Sequence, residues 1–318
     1  MSEKEKEHVE YPEHLQPKYE KAKKLEWITV IYIVSVVVLM FIVMGQSQAM
    51  KTAWADDTVG LISPISFLVA SAWATKKPNK RFPYGYHRIA NIAYICGSLA
   101  LFLLGFYLLI DSISKLVSGE RPSIGMANIF GTPVWSGYLM ILVLLWSVVP
   151  AVILGKKKLP IASEMHEKTL YADAETNKAD WMMGLAAMAG IIGNGFGWYW
   201  ADSVIAGILS LDIIYDGFTH LKQATFDLMN ERPTTVSHQE EDPVSKQVYD
   251  LLCGMDWIKE VDVRLREEGH VFYGEALIVP EDTPDIVNKI KEATKKVREV
   301  DWRIKDFVLG IVDKVQVS

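Results

Sequence analysis

The dominant pattern along the chain is a run of apolar residues that recurs at lengths close to one bilayer crossing, for which about 20 residues suffice. Six stretches qualify: residues 27–45, 58–75, 89–117, 137–154, 181–198 and 203–221. They predict six transmembrane helices. The first (WITVIYIVSVVVLMFIVMG) and the fourth are almost uniformly apolar, and the third is long enough to tilt or to project from the bilayer. The second is interrupted by Pro64 and has Asp56 and Asp57 at its mouth. The fifth is preceded by YADAETNKADW (171–181), an acidic segment at the head of an apolar run. Charge in lipid is costly, so spans two, five and six, the most polar, are expected to face an aqueous path.

Beyond the polar, turn-forming ERPTTVSHQEEDP the period changes. Residues 244–254 read as a helix, and IKEVDVRLREEGHVFYGEALIVP alternates about a Glu-Gly turn as two antiparallel strands. An amphipathic helix follows, capped by Asp282 or Thr283, with Ile286, Ile290, Ala293 and Val297 on one face; IKDFVLGIVDKVQVS closes as a strand. The expected fold class is thus a membrane α-helical protein with six transmembrane helices and a C-terminal α+β domain of order α-β-β-α-β. The expected boundaries are 1–25 for an N-terminal tail, 26–225 for the transmembrane domain, 226–243 for a linker and 244–318 for the α+β domain.

Basic residues crowd the segments between spans two and three (TKKPNKRFPYGYHR) and between four and five (GKKKLPIASEMHEK), and the tail ends in EKAKK; the opposite loops carry few. This bias places both termini in the cytoplasm and Trp198, Tyr199 and Trp200 at the outer interface. A plasma (inner) membrane is the expected location, with membrane lipid the surrounding partner. An apolar content of 50% fits a membrane half joined to a soluble half, and a net charge of −6 gives no support to a nucleic-acid partner. Cys96 and Cys253 lie far apart, so neither a disulfide framework nor a soft-metal cysteine pair is indicated. The charged N-terminus lacks a cleavable-signal pattern and reads as a solvated tail or short interfacial helix.

Four local segments, in order, carry a family resemblance: PYGYHR after span two, LYADAETNKAD before span five, WADSVIAGILSLDIIYDG at span six and DLMNERP at its exit. Over residues 25–315 the chain resembles the cation diffusion facilitators. That resemblance implies six spans, cytoplasmic ends, a metallochaperone-like C-terminal domain, and a homodimer that exports divalent cations in exchange for protons. It also implies two ligand pairs spaced i, i+4 on spans two and five, which puts both members of a pair on one helix face. The span-five pair falls on Thr176 and Asp180. The span-two pair falls on Asp56 with Gly60, or, in the alternative register, on Asp57 with Leu61. One acid is kept on each span; the span-five histidine and the second span-two ligand are missing.

Without imidazole the donors are oxygens, which suit hard or borderline ions such as Mg²⁺, Mn²⁺ and Fe²⁺, or Co²⁺ with retained waters, more than Zn²⁺. Asp173 and Asn177 lie one turn from Asp180 on nearly the same face and are further candidate ligands. The transported cation is the only metal expected, with no prosthetic group. Intramembrane carboxylates take up protons when the ion leaves, which is enough to couple two gradients. Other readings weigh against some of these acids. Asp173 and Glu175 also suit a helix N-terminus, Asp202 suits a cap, and Asp56 and Asp57 suit a solvated span end. Asp212 and Asp216 are positioned to line the path or to pair with Lys222, and His220 to sit at the interface. In the α+β domain His238, His270, Asp262, Glu275 and Asp285 form no clustered pair, so a dimerising role is expected; His87 and His166 read as solvated. A transport-deficient partner subunit is the alternative function, favoured by the vacant Gly60. No nucleophile-base set, phosphate loop or cofactor motif marks an enzyme.

Overall fold

A computed structural model of the protein describes residues 11–74, 79–82, 88–119, 124–129, 131–237, 240–269, 271–281 and 284–315. Helices α1 (Gln16–Val43), α2 (Gln48–Gly60), α3 (Ile62–Ala74), α4 (Ile89–Ser118), α5 (Ser136–Met165), α6 (Lys168–Gly195) and α7 (Tyr199–Leu228) form a bundle. A short hairpin, β1 (Met126–Ile129) with β2 (Thr132–Trp135), joins α4 to α5. Among the described residues four helical segments are long and apolar enough to cross a membrane: Gln16–Val43, Ile95–Ser118, Ser136–Met165 and Tyr199–Leu228. Their outer faces carry Ile42, Ile110, Val117, Leu142 and Tyr215, all well exposed. Such a continuous apolar surface suits lipid rather than water.

The helices differ from the hydropathic stretches in instructive ways. Span two is two helices, not one. In a continuous helix Pro64 would lack an N–H for the Gly60 carbonyl and its ring would clash there, so the chain breaks at Leu61, between α2 and α3. Because α2 begins at Gln48, Asp56 and Asp57 sit near the middle of this broken element, not at a solvated mouth. Helix α6 begins at Lys168, so YADAETNKADW is helix interior and its first turn holds no acid. That removes the helix-terminus explanation for Asp173 and Glu175. Helix α5 runs on past Lys156, Lys157, Lys158 and Pro160 to Met165, where a loop was expected. The described part of the tail is tied down as well: Tyr11 and Leu15 are buried, and the Tyr11 hydroxyl donates to Glu167 at 2.7 Å. Helices α4 and α7 pack very closely, since a Cβ on Gly217 would lie 2.6 Å from the backbone nitrogen of Phe102.

The C-terminal α/β region follows its expected order: α8 (Pro243–Cys253), β3 (Ile258–Glu268), β4 (Val271–Pro280), α9 (Ile286–Val300) and β5 (Ile304–Ile311). The sheet order is β3-β4-β5. A hairpin turning at Gly269 makes β3 and β4 antiparallel, and the α9 crossover makes β5 parallel to β4. Val248, Leu252, Phe272, Ile278, Ala293, Val297 and Phe307 form its core. Asp285, at positive φ, precedes α9; Asp282 and Thr283 lie outside the described residues, as do His87, His238, His270 and most of PYGYHR. Cys96 and Cys253 are free thiols.

Charged contacts join this region to the bundle. Lys168 at the head of α6 donates to Glu267 at 2.7 Å and to Thr234 at 2.6 Å, and Arg88 reaches Glu268 at 3.0 Å. Arg303 bridges Asp242 and Asp301, each at 2.9 Å, with its guanidinium 4.5 Å from the centre of the Phe272 ring. His166, expected to be solvated, is instead packed edge-on against Phe272, in a left-handed backbone conformation (φ 52°). Its Nε2 lies 3.4 Å from Asp242, but burial, reinforced by Arg303, lowers its pKa to about 4, so this contact joins a neutral ring to a carboxylate.

The sign of the resulting pH dependence is fixed. With a folded pKa below the unfolded value of about 6.5, His166 contributes stability that is complete above that value and lost as pH falls towards 4. The expected loss at its steepest is about 1.4 kcal/mol per pH unit. Thermal unfolding of the detergent-solubilised protein between pH 7.5 and 4.5 should show His166→Asn, which tolerates the left-handed backbone, declining less steeply than the parent.

Candidate cation site

Polar side chains from several helices meet at one cavity of about 80 Å³. Asp56, Asp57 and Gly60 reach it from α2, Ser63 from α3, Ser98 from α4, Asp173, Thr176, Asn177 and Asp180 from α6, and Asp216 and His220 from α7. The volume holds an ion with a few retained waters, not an organic solute. Of the two span-two registers, Asp56 with Gly60 has both members on the cavity wall; Leu61 packs into the hydrophobic core instead. A Cβ on Gly60 would meet nothing within 4 Å, so the missing ligand leaves open space.

The acids divide by what they touch. Asp57 accepts a hydrogen bond from the Ser147 hydroxyl at 3.1 Å. Asp56, Asp180 and Asp216 make no hydrogen bond or ion pair among the described residues, although all three line the cavity. Asp56 and Asp57 both lie within electrostatic reach of Asp180, and Asp212 and Asp216 within that of Asp56. Thr176 spends its proton on the Ala172 carbonyl at 3.1 Å, which leaves the oxygen lone pairs for a ligand. Among the described residues, however, no three His, Cys, Asp or Glu side chains converge tightly enough to enclose an ion by themselves.

Asp173 and Asn177 also line the cavity, but their polar atoms are committed elsewhere. The Lys158 ammonium, fully buried, bonds Asp173 and, at 3.1 Å, the equally buried Glu26. Asn177 donates to the Asp173 carboxylate at 2.9 Å and to its backbone carbonyl at 2.7 Å. Sequence reasoning missed Glu26 and Lys158. Each sits beside other charges in what reads as a solvated margin, and only the longer reach of α1 and α5 brings them inside.

Asp202 is buried and acts as a cap, though not of its own helix. From α7 it accepts hydrogen bonds from the Ser47 hydroxyl at 2.7 Å, the Gln48 N–H at 2.5 Å and the Ala49 N–H at 3.4 Å. It thereby satisfies the free donors at the start of α2, where a negative charge also complements the helix dipole. Since α2 carries Asp56 and Asp57, this cap fixes where they enter the cavity. Of the α7 acids, Asp216 faces the cavity while Asp212 is exposed; Lys222 lies over the Phe226 ring at 5.4 Å, not against either acid.

A bundle with lipid-suited helices and an acid-lined cavity fits a membrane protein with a candidate cation site better than a soluble binding module. Residues 27–229 match the cation efflux transmembrane domain, and the chain belongs to that family, the cation diffusion facilitators, as a divergent member. It is similar to the manganese efflux system protein MneS of Bacillus subtilis, 22% identical over 296 residues that cover 90% of this chain and 96% of that protein. It is also similar to the magnetosome protein MamB of Magnetospirillum gryphiswaldense, 26% identical over 240 residues covering 71% and 73% of the two chains. A further relative, the transporter YdbO of Bacillus subtilis, is 23% identical over 275 residues, 86% of each chain.

Removing the Asp202 carboxylate should leave the α2 donors unpaired. Asp202→Ala is expected to cost about 1–3 kcal/mol of stability and to weaken divalent-cation binding, both measurable on detergent-purified protein by thermal unfolding and titration calorimetry.

Proposed function

We propose that this cation efflux protein exports a hard or borderline divalent cation from the cytoplasm in exchange for protons, through a site on Asp180, Thr176 and Asp56 or Asp57. The observation that carries this reading is that Asp56 and Asp180, on two different helices, present unpaired carboxylates to the same buried cavity. Charge so placed without a partner is expensive unless a ligand offsets it. Oxygen donors with room for water favour Mn²⁺, Fe²⁺, Co²⁺ or Mg²⁺ over Zn²⁺. Similarity to a manganese efflux protein along nearly the whole chain supports the same choice. When the ion leaves, a carboxylate in this low-dielectric cavity takes a proton in its place, so the two compete for Asp180.

In this reading the broken α2–α3 pair and α6 each form a crossing beside the four apolar spans, giving six, with both termini cytoplasmic and the α/β region assisting homodimerisation. The protein is a transporter, not an enzyme. A second reading, a transport-deficient partner subunit, draws on the open space at Gly60 and on the absence of a tight three-ligand set among the described residues.

Proteoliposomes containing a pH probe separate the two readings. Mn²⁺, Fe²⁺, Co²⁺, Zn²⁺ and Mg²⁺ are tested in turn, and at least one should drive proton movement that Asp180→Asn reduces by an order of magnitude or more. A protein that moves protons with none of these ions is the partner subunit; an Asp180→Asn variant as active as its parent removes Asp180 from the site. Thr176→His, which adds an imidazole to the cavity, should shift the relative rates towards Zn²⁺ and away from Mn²⁺.

A further inference from the structure

Within the bundle, the Lys158 cluster is a group of buried charges that the proposed transport cycle does not use. Its composition is unusual for a structural ion pair: two carboxylates, Glu26 and Asp173, share one ammonium, and Glu26 Oε1 has no hydrogen-bond partner. Lys158 and Glu26 are 0% exposed and Asp173 is 4% exposed. The three come from α5, α1 and α6, so the cluster joins three helices at the edge of the cavity. Asp173 lies three, four and seven residues before Thr176, Asn177 and Asp180, on the stripe of α6 that faces the cavity, and it contributes to the cavity wall. Nothing in its position separates it from a ligand. What separates it is its partner.

We propose that Lys158 is a specificity- and affinity-setting positioning residue, a tethered cation that occupies Asp173 and so withholds a carboxylate from the transported ion. The inference rests on the reading of the cavity as the transport site. An ammonium on a flexible stem delivers one positive charge where a mobile ion would otherwise collect another anionic donor. With Asp173 engaged, the ion meets Asp180, Asp56 or Asp57 and neutral oxygens. With Asp173 released, it would gain a further carboxylate on the same helix face. A carrier must let its cargo go, and each added anionic ligand slows that step. Glu26 keeps Lys158 in place, since a fully buried ammonium needs compensating charge.

The prediction runs against the direction expected of simple damage. Lys158→Met should tighten equilibrium binding of Mn²⁺ to the purified full-length protein by about tenfold, equivalent to about 1.4 kcal/mol. In proteoliposomes KM should fall and kcat should fall with it, because release becomes slower. Adding Asp173→Asn should abolish the gain. Should Lys158→Met fail to fold, the pair Glu26→Gln with Lys158→Gln serves the same end: it preserves the net charge of the cluster and still frees Asp173. Unchanged or weaker binding in whichever variant folds, or a gain that survives Asp173→Asn, overturns the proposal. Asp180→Asn in the parent background tests the underlying site: if it abolishes Mn²⁺ binding while the lysine variants show no gain, only the role of Lys158 fails. If Asp180→Asn binds Mn²⁺ as the parent does, the site itself is misplaced, and this inference falls with it.

Discussion

A charge removed from water needs a counter-charge or a set of donors, and that requirement sorts the acids at the centre of the apolar bundle. Asp202 is met by two backbone N–H groups and a hydroxyl, Asp57 by a serine, and Asp173 and Glu26 by Lys158. These pairings hold helices together: α7 to the start of α2, and α1 to α5 and α6. Asp56, Asp180 and Asp216 are left over, and they are left over in one place, around the same cavity. The acids that hold helices together and those that line the cavity unpaired are therefore distinguished by partners, not by residue type.

The same sorting explains which parts of the architecture could be read in advance. Apolar runs are long-range patterns that survive local irregularity, so the helical membrane half was legible, as was the α-β-β-α-β order with Ala293 and Val297 on the buried face of α9. The ends of the helices were not. Hydropathy marks where apolar residues stop, whereas a helix stops where its backbone donors and acceptors find other partners. Lys158 and Pro160 look like a loop for that reason, yet the helix continues through them and carries Lys158 to Glu26 and Asp173. The β1–β2 hairpin was also hidden, its strands being too short to show alternation.

The site was half legible. Asp56, Asp57, Thr176 and Asp180 follow from the family resemblance and the ligand pairs it implies, and the structure brings them to one cavity. Asp173 and Asn177 were selected by helical arithmetic and reach the same wall, but spacing along one helix says nothing about a lysine arriving from another. Asp202 was recognised as a cap although the helix it caps lies over 150 residues earlier in the chain, a relation that no local pattern encodes. Asp216 and His220 reach the same cavity from α7 and had no spacing signal tying them to spans two and five.

Helix α6 has one end fastened to the α/β region and its middle in the cavity. Lys168 is bonded to Glu267 and Thr234, and Asp180 lies about 18 Å further along the same uninterrupted helix at 1.5 Å per residue. A helix of that length resists compression, so it acts as a push-rod. A shift of the Lys168 end along the helix axis is therefore carried along the helix to the position of Asp180. The α/β region and the cavity wall are thus joined by a single rigid element, with no chain of loosely coupled side chains in between.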